Sequence, residues 1–239
     1  MKRLTLEICV DSLGSSLAAE EGGAHRVELC ASMPSGGITP SYGLIRAACS
    51  RLRIPVHVLV RPRAVDFIHT PDELEIMKRD ILAAKDLGAD AVVMGVLKPD
   101  RSVDTAAMAR LIRAARPLSV TFHRAFDQVP DRGAALEDLV KLGMERVLTT
   151  GGTRTASGGR RRLGALVARA SGRISVMAGG GINRRTVLRT LAESGVKELH
   201  VGSAVAASRR SGRGAFRAEE SAVDAAKVES FLKLIGGRR

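Results

Sequence analysis

Four times in 239 residues a glycine closes a helical pattern and opens an apolar run: Gly23-Ala-His-Arg-Val27, Gly88-Ala-Asp-Ala-Val92, Gly143-Met-Glu-Arg-Val147 and Gly195-Val-Lys-Glu-Leu199. Glycine tolerates the left-handed conformation that ends helices, and the run after it reads as the start of a strand. Between these four lie further strand patterns at 5–10, 55–60, 119–126 and 174–178. Helical patterns fill the gaps at 12–21, 41–51, 71–87, 104–115, 131–142, 159–170, 184–193 and 222–235. Eight strand–helix units in strict alternation predict a parallel sheet with right-handed crossovers, closed into a barrel. The expected fold class is therefore α/β, a single (β/α)₈ domain of the TIM type over residues 1–239. A doubly wound open sheet is the competing architecture, but the first strand is not followed by a Gly-x-Gly-x-x-Gly turn. One irregular insertion, at about 208–221 and rich in Ser, Gly and Arg, reads as a mobile loop between the last strand and the last helix.

The bulk numbers narrow the class further. No apolar run approaches the roughly 18 residues that a membrane span needs, and the opening residues do not resemble a signal peptide. A cytoplasmic protein without membrane association is expected. Three cysteines are too few for a disulfide scaffold and fit reduced thiols. The formal charge of +13 invites a nucleic-acid reading, yet with no Trp, one Tyr and five Phe there are few stacking platforms. Much of the excess is local, in Arg160-Arg-Arg162, Arg184-Arg185, the 208–214 segment and Arg238-Arg239, so specific nucleic-acid binding is not expected and a solvated face or weak polyanion attraction is.

In a barrel of this kind chemistry gathers where strands run out into the following loops. Period-two alternation puts Glu7, Cys9 and Asp11 on one face of the first strand, Glu28 and Cys30 on one face of the second, and His57, Arg61 and Arg63 along the third and its loop. His123 follows on the fifth, in Ser119-Val-Thr-Phe-His-Arg-Ala-Phe-Asp127, and His200 on the eighth. The opposite parity holds Leu4, Leu6, Ile8, Val10, Val56, Val58 and Val60, which suits outer helices, so the charged set is expected to face inward. Buried carboxylates need cations or donors, and a purely structural charge network is one reading of this set. Acid–base chemistry is the other, with Glu7, Glu28, His57 and His123 as catalytic candidates and Arg61 and Arg63 as forks for a small anionic ligand. The strings Leu6-Glu-Ile-Cys9 and Val27-Glu-Leu-Cys30 put one thiol at an equivalent depth on neighbouring strands, within metal-bridging reach if the stagger is right. Two thiolates suit Cu(I), with His57 or His123 as a further donor, although free cysteines are often just small buried hydrophobes, the reading preferred for Cys49. Ala178-Gly-Gly-Gly-Ile-Asn183 and His200-Val-Gly-Ser-Ala204 bring Gly179, Gly180, Gly181, Gly202 and Ser203 together as a phosphate cradle, to which Thr149-Thr-Gly-Gly152 can add donors. Arg124 and Asp127 complete the substrate-binding candidates.

These strings resemble the CutC family, the so-called copper homeostasis proteins, across residues 4–205. The resemblance is carried by Leu6-Glu-Ile-Cys-Val-Asp11, Arg26-Val-Glu-Leu-Cys-Ala31, Gly36-Gly-Ile-Thr-Pro-Ser41, Arg61-Pro-Arg63, Val120-Thr-Phe-His-Arg-Ala-Phe-Asp127, Arg146-Val-Leu-Thr149 and Ala178-Gly-Gly-Gly-Ile182. The chain departs from the family pattern at Ala64-Val65, His69 and Asp100-Arg101. The resemblance implies a cytoplasmic (β/α)₈ barrel, a homo-oligomer such as a dimer or tetramer, a link to copper tolerance, and copper-binding cysteines at Cys9 and Cys30. Three functions follow as expectations: Cu(I) held by Cys9 and Cys30, an enzyme acting on a small anionic or phosphorylated metabolite, and polyanion attraction through the 208–214 arginines.

Overall fold

The computed structural model describes residues 4–211 and 218–236, with side chains over 4–207 and 222–236. Eight parallel strands close a barrel in chain order: β1 Thr5–Val10, β2 Arg26–Leu29, β3 Val56–Leu59, β4 Ala91–Met94, β5 Ser119–Phe122, β6 Arg146–Thr149, β7 Ser175–Gly179 and β8 Glu198–Val201. β1 pairs with both β2 and β8, which leaves the ring without an edge. The helices are α1 Leu13–Glu21, α2 Tyr42–Arg51, α3 Pro71–Asp86, α4 Thr105–Ala115, α5 Arg132–Lys141, α6 Arg160–Ala170, α7 Val187–Ser194 and α8 Ala225–Gly236. No described helix is long and apolar enough to cross a membrane.

Helix starts follow from local chemistry. The side chains of Ser12, Ser41 and Asp104 each accept a backbone N–H of the first turn, and Thr70 and Glu73 form a reciprocal capping box ahead of Pro71. The α7 pattern begins later than the expected residue 184, because Asn183 Oδ1 accepts from Arg185 N and Thr186 N and holds the chain in a turn until Val187. The expected irregular insertion also differs. Ala206–Ser211 and Ala218–Val223 pair as an antiparallel two-stranded sheet, β9 and β10, from Ala206↔Val223 to Ser211↔Ala218. Residues 212–217, which include Arg213 and Gly214, and the terminal Arg238-Arg239 lie outside the described residues.

The parity read from sequence holds. Leu6, Ile8, Val10, Val27, Leu29, Val56 and Val58 are completely or almost completely buried in the core that joins the sheet to the helices. The opposite faces turn inward and carry charge at the amino end of the barrel. Arg26 donates through Nε to Glu7 Oε2 at 2.5 Å and pairs with Glu198, which also takes Arg146 Nε at 3.1 Å and Ser175 Oγ at 2.5 Å. Arg26, Arg146, Ser175 and Glu198 are the first residues of their strands, so this network plugs the lower barrel where apolar branched residues usually sit.

Candidate metal and anion site at the barrel mouth

Above the plug, residues at or just past the ends of seven strands, all but β4, border a cavity of about 240 Å³. β1 delivers Cys9, β2 delivers Glu28 and, one residue past its end, Cys30, while β8 delivers His200. Cys9 pairs in register with Glu28 rather than with Cys30, so the two thiols are not at the same ladder step. The barrel stagger nevertheless leaves their sulfurs 3.7 Å apart. Cys9 Sγ also lies 3.4 Å from Glu28 Oε2, and one donor atom each from Cys9, Glu28 and His200 fall within 4.8 Å of one another. Met33, in the turn after β2, and Leu59 pack around the thiols, and Gly37 has no room for a side chain because a Cβ there would sit 2.7 Å from Leu59.

The electrostatics are stacked. Burial works against the Glu7 carboxylate, but Arg26, His200 and His57 together hold its pKa well below the usual carboxylate range. His200 is pulled the other way. Burial opposes its charge, yet Glu28 and Glu7 raise its pKa, with Nδ1 2.7 Å from Glu7 Oε1. That contact leaves His200 Nε2 toward Glu28 Oε2 at 3.7 Å. Burial, with Glu7 adding repulsion, raises the Glu28 carboxyl, and the Cys9 thiol is pushed up by its hydrogen bond with Cys30, by burial and by Glu28.

Several expectations are corrected by placement. Glu7 and His57 do not line the cavity: Glu7 is fully buried in the plug, and His57 Nδ1 lies 3.3 Å from Glu7 Oε2 with poor alignment for a hydrogen bond. His200, not His57 or His123, is the imidazole beside the thiols. β5 ends at Phe122, and His123 instead caps a short 3₁₀ turn, Arg124–Gln128, with Nδ1 accepting from Ala125 N at 3.3 Å. Burial and the Arg61 charge drop its pKa to about 3, so it is a neutral donor rather than an acid. Arg63 is outside the cavity, pairing with Glu73 and Asp66 and donating to Ile68 O, because the loop after β3 turns it back toward the start of α3. Asp127 is a loop anchor: Oδ1 accepts from Thr149 Oγ1 at 2.5 Å, Thr150 N at 3.0 Å and Gly152 N at 3.1 Å, which consumes donors expected to face phosphate. Gly179 is a packing position, where a Cβ would meet Leu148 at 2.5 Å and His200 at 2.9 Å.

Arg61, Arg124, Gly180, Gly181, Gly202 and Ser203 do line the cavity, as do Glu28, His123, Cys9 and Cys30. Sequence reasoning gave no role to Arg26, Arg146 or Glu198, although the first two stand in strings that carry the family resemblance. Arg26 shares the parity of Glu28, and that was the available signal. Cys49 is partly buried in α2 against the core, with its thiol raised to about 11 mainly by burial.

The ring of eight strands, with thiol, carboxylate and imidazole converging at the carboxyl ends, defines a (β/α)₈-barrel protein whose mouth presents a group of side chains that could hold a metal ion. The CutC family model matches residues 4–205, and the chain belongs to the CutC family. It is 44% identical to a family protein CutC of Xylella fastidiosa over 96% of this chain and 88% of that protein. It is 48% identical to the human copper homeostasis protein cutC homolog over 82% of this chain and 71% of that one. A solved CutC structure from Streptococcus agalactiae superposes with a TM-score of 0.80 at 36% identity, covering 83% of this chain and 98% of the other. A phosphoribosylanthranilate isomerase from Thermotoga maritima, at 15% identity and a TM-score of 0.60, shares the fold.

Proposed function

We propose that the chain serves copper homeostasis by holding Cu(I) between Cys9 and Cys30, with His200 Nε2 as the nearest nitrogen donor. The observation that carries this reading is the 3.7 Å separation of the two sulfurs on a rigid strand scaffold. Soft thiolates select a soft monovalent cation, and two of the donors that meet here are sulfurs. His200 fits the role of a supporting ligand, since its Nδ1 contact to Glu7 fixes the ring and leaves Nε2 toward the thiols. Reduced thiols suit a cytoplasmic location. Anaerobic titration against a Cu(I) chelator tests it. One tight equivalent is expected for the wild type, weakened at least about a hundredfold in Cys9→Ser/Cys30→Ser; unchanged stoichiometry and affinity in that double variant would remove the thiol site.

A second reading, acid–base catalysis on a small anion, is favoured by Glu28 and His200. They lie 3.7 Å apart at the mouth, the Glu28 carboxyl raised mainly by burial and the His200 imidazole raised by the two carboxylates beside it.

A further inference from the structure

Part of the mouth's lining, supplied from just past the ends of β3 and β5, is cationic and carries donors that the protein does not use. Arg61 is 6% exposed, and its Nη1 donates to Gly37 O at 2.9 Å. Its Nε is buried with no partner, and among the described residues no carboxylate lies within ion-pairing distance of it. A buried guanidinium is ordinarily retained with an anion. His123, 5% exposed, is the second observation: Nδ1 accepts from Ala125 N, so the proton sits on Nε2, and that buried N–H has no acceptor. The Arg61 guanidinium and the His123 ring both lie against Phe67, with Arg61 Cζ 4.8 Å and the His123 centroid 4.7 Å from its centroid. Arg124, whose Nε pairs with Asp127 Oδ2 at 2.9 Å, packs over Gly180, where a Cβ would lie 3.3 Å from its Cζ. Gly180 and Gly181, which line the cavity, hold φ of +92° and +68°, a turn that side chains disfavour.

From this convergence we infer that the mouth binds the oxyanion head, phosphate or carboxylate, of a small metabolite, gripped by Arg61 and Arg124 with the His123 Nε2–H and the Gly180–Gly181 turn as neutral donors. The body of the ligand then reaches toward Glu28 and His200, which line the same cavity. This gives the second reading above a ligand class while not depending on turnover: an anion that binds and is not transformed leaves this site standing and sinks the enzyme.

Isothermal titration of the metal-free protein with inorganic phosphate, glycerol 3-phosphate and lactate tests it. At least one probe is expected to saturate, with Arg61→Gln and Arg124→Gln each weakening it about tenfold, as loss of a charge-assisted contact should. Arg79→Gln, on the exposed face of α3, is expected to leave it unchanged. Saturation by both phosphates alone identifies a phosphate head, and saturation by lactate alone a carboxylate head. If Arg61→Gln does not fold, the half-exposed Arg124 decides. No saturable probe, or binding that both arginine variants leave intact, would overturn the inference.

Discussion

At the scale of single residues, Glu7 shows how an interior charge is tolerated in this barrel. It has no solvent exposure, and three partners converge on its two oxygens: Arg26, His200 and His57. Removing one member of such a network strands the others, at about 3–5 kcal/mol. Because the folded-state pKa of Glu7 is depressed, the unfolded chain binds its proton more readily. The stabilisation is therefore present above the unfolded value of about 4.3 and lost as pH falls through the lower folded one. Chemical denaturation from pH 7 to pH 3 should show wild-type stability falling below about pH 5, with a shallower fall in Glu7→Gln on top of a lower plateau. Identical slopes in the two proteins would mean that Glu7 is not linked to folding. His200 has the opposite sign: its contribution is present at low pH and lost as pH rises through its raised folded value.

At the scale of elements, the strand ends were more legible than the loops beyond them. Two-residue alternation placed Glu7, Cys9 and Glu28 inward correctly, because a one-residue slip would have turned Leu6, Ile8 and Val10 into the barrel. Alternation stops informing where pairing stops. His123, Arg63 and Asp127 all lie past their strands, and their directions are set by a 3₁₀ turn, by a return toward α3 and by the loop after β6. Asp127 holds that last loop through contacts from Thr149, Thr150, Gly152 and Arg124. Asp127→Ala should cost about 3 kcal/mol in urea unfolding, since buried donors then go unpaired. Faster amide exchange at Thr150 and Gly152 should accompany it, and unchanged protection there would contradict the anchor role.

For the whole molecule, the glycine-punctuated repeat was enough to expect eight units and closure, since each helix must bury its apolar stripe on a sheet that has no other cover. What the repeat did not reveal is the plug. Arg26, Arg146 and Glu198 come from three separate strands, and only the closed ring makes Arg26 and Glu198 neighbours 172 residues apart in the chain. The same closure sets β8 beside β1 and brings His200 to Glu7 and Cys9, so the cluster of Cys9, Glu28 and His200 is a property of the ring rather than of any segment. X-ray absorption at the copper edge, on wild-type protein loaded anaerobically with one equivalent of Cu(I), reports the metal's neighbours directly. Two sulfur scatterers in the first shell, falling to none in Cys9→Ser/Cys30→Ser, are the expected result for thiolate ligation. A first shell of nitrogen and oxygen alone, or a sulfur shell that survives in the double variant, would contradict a copper site at the mouth of the barrel.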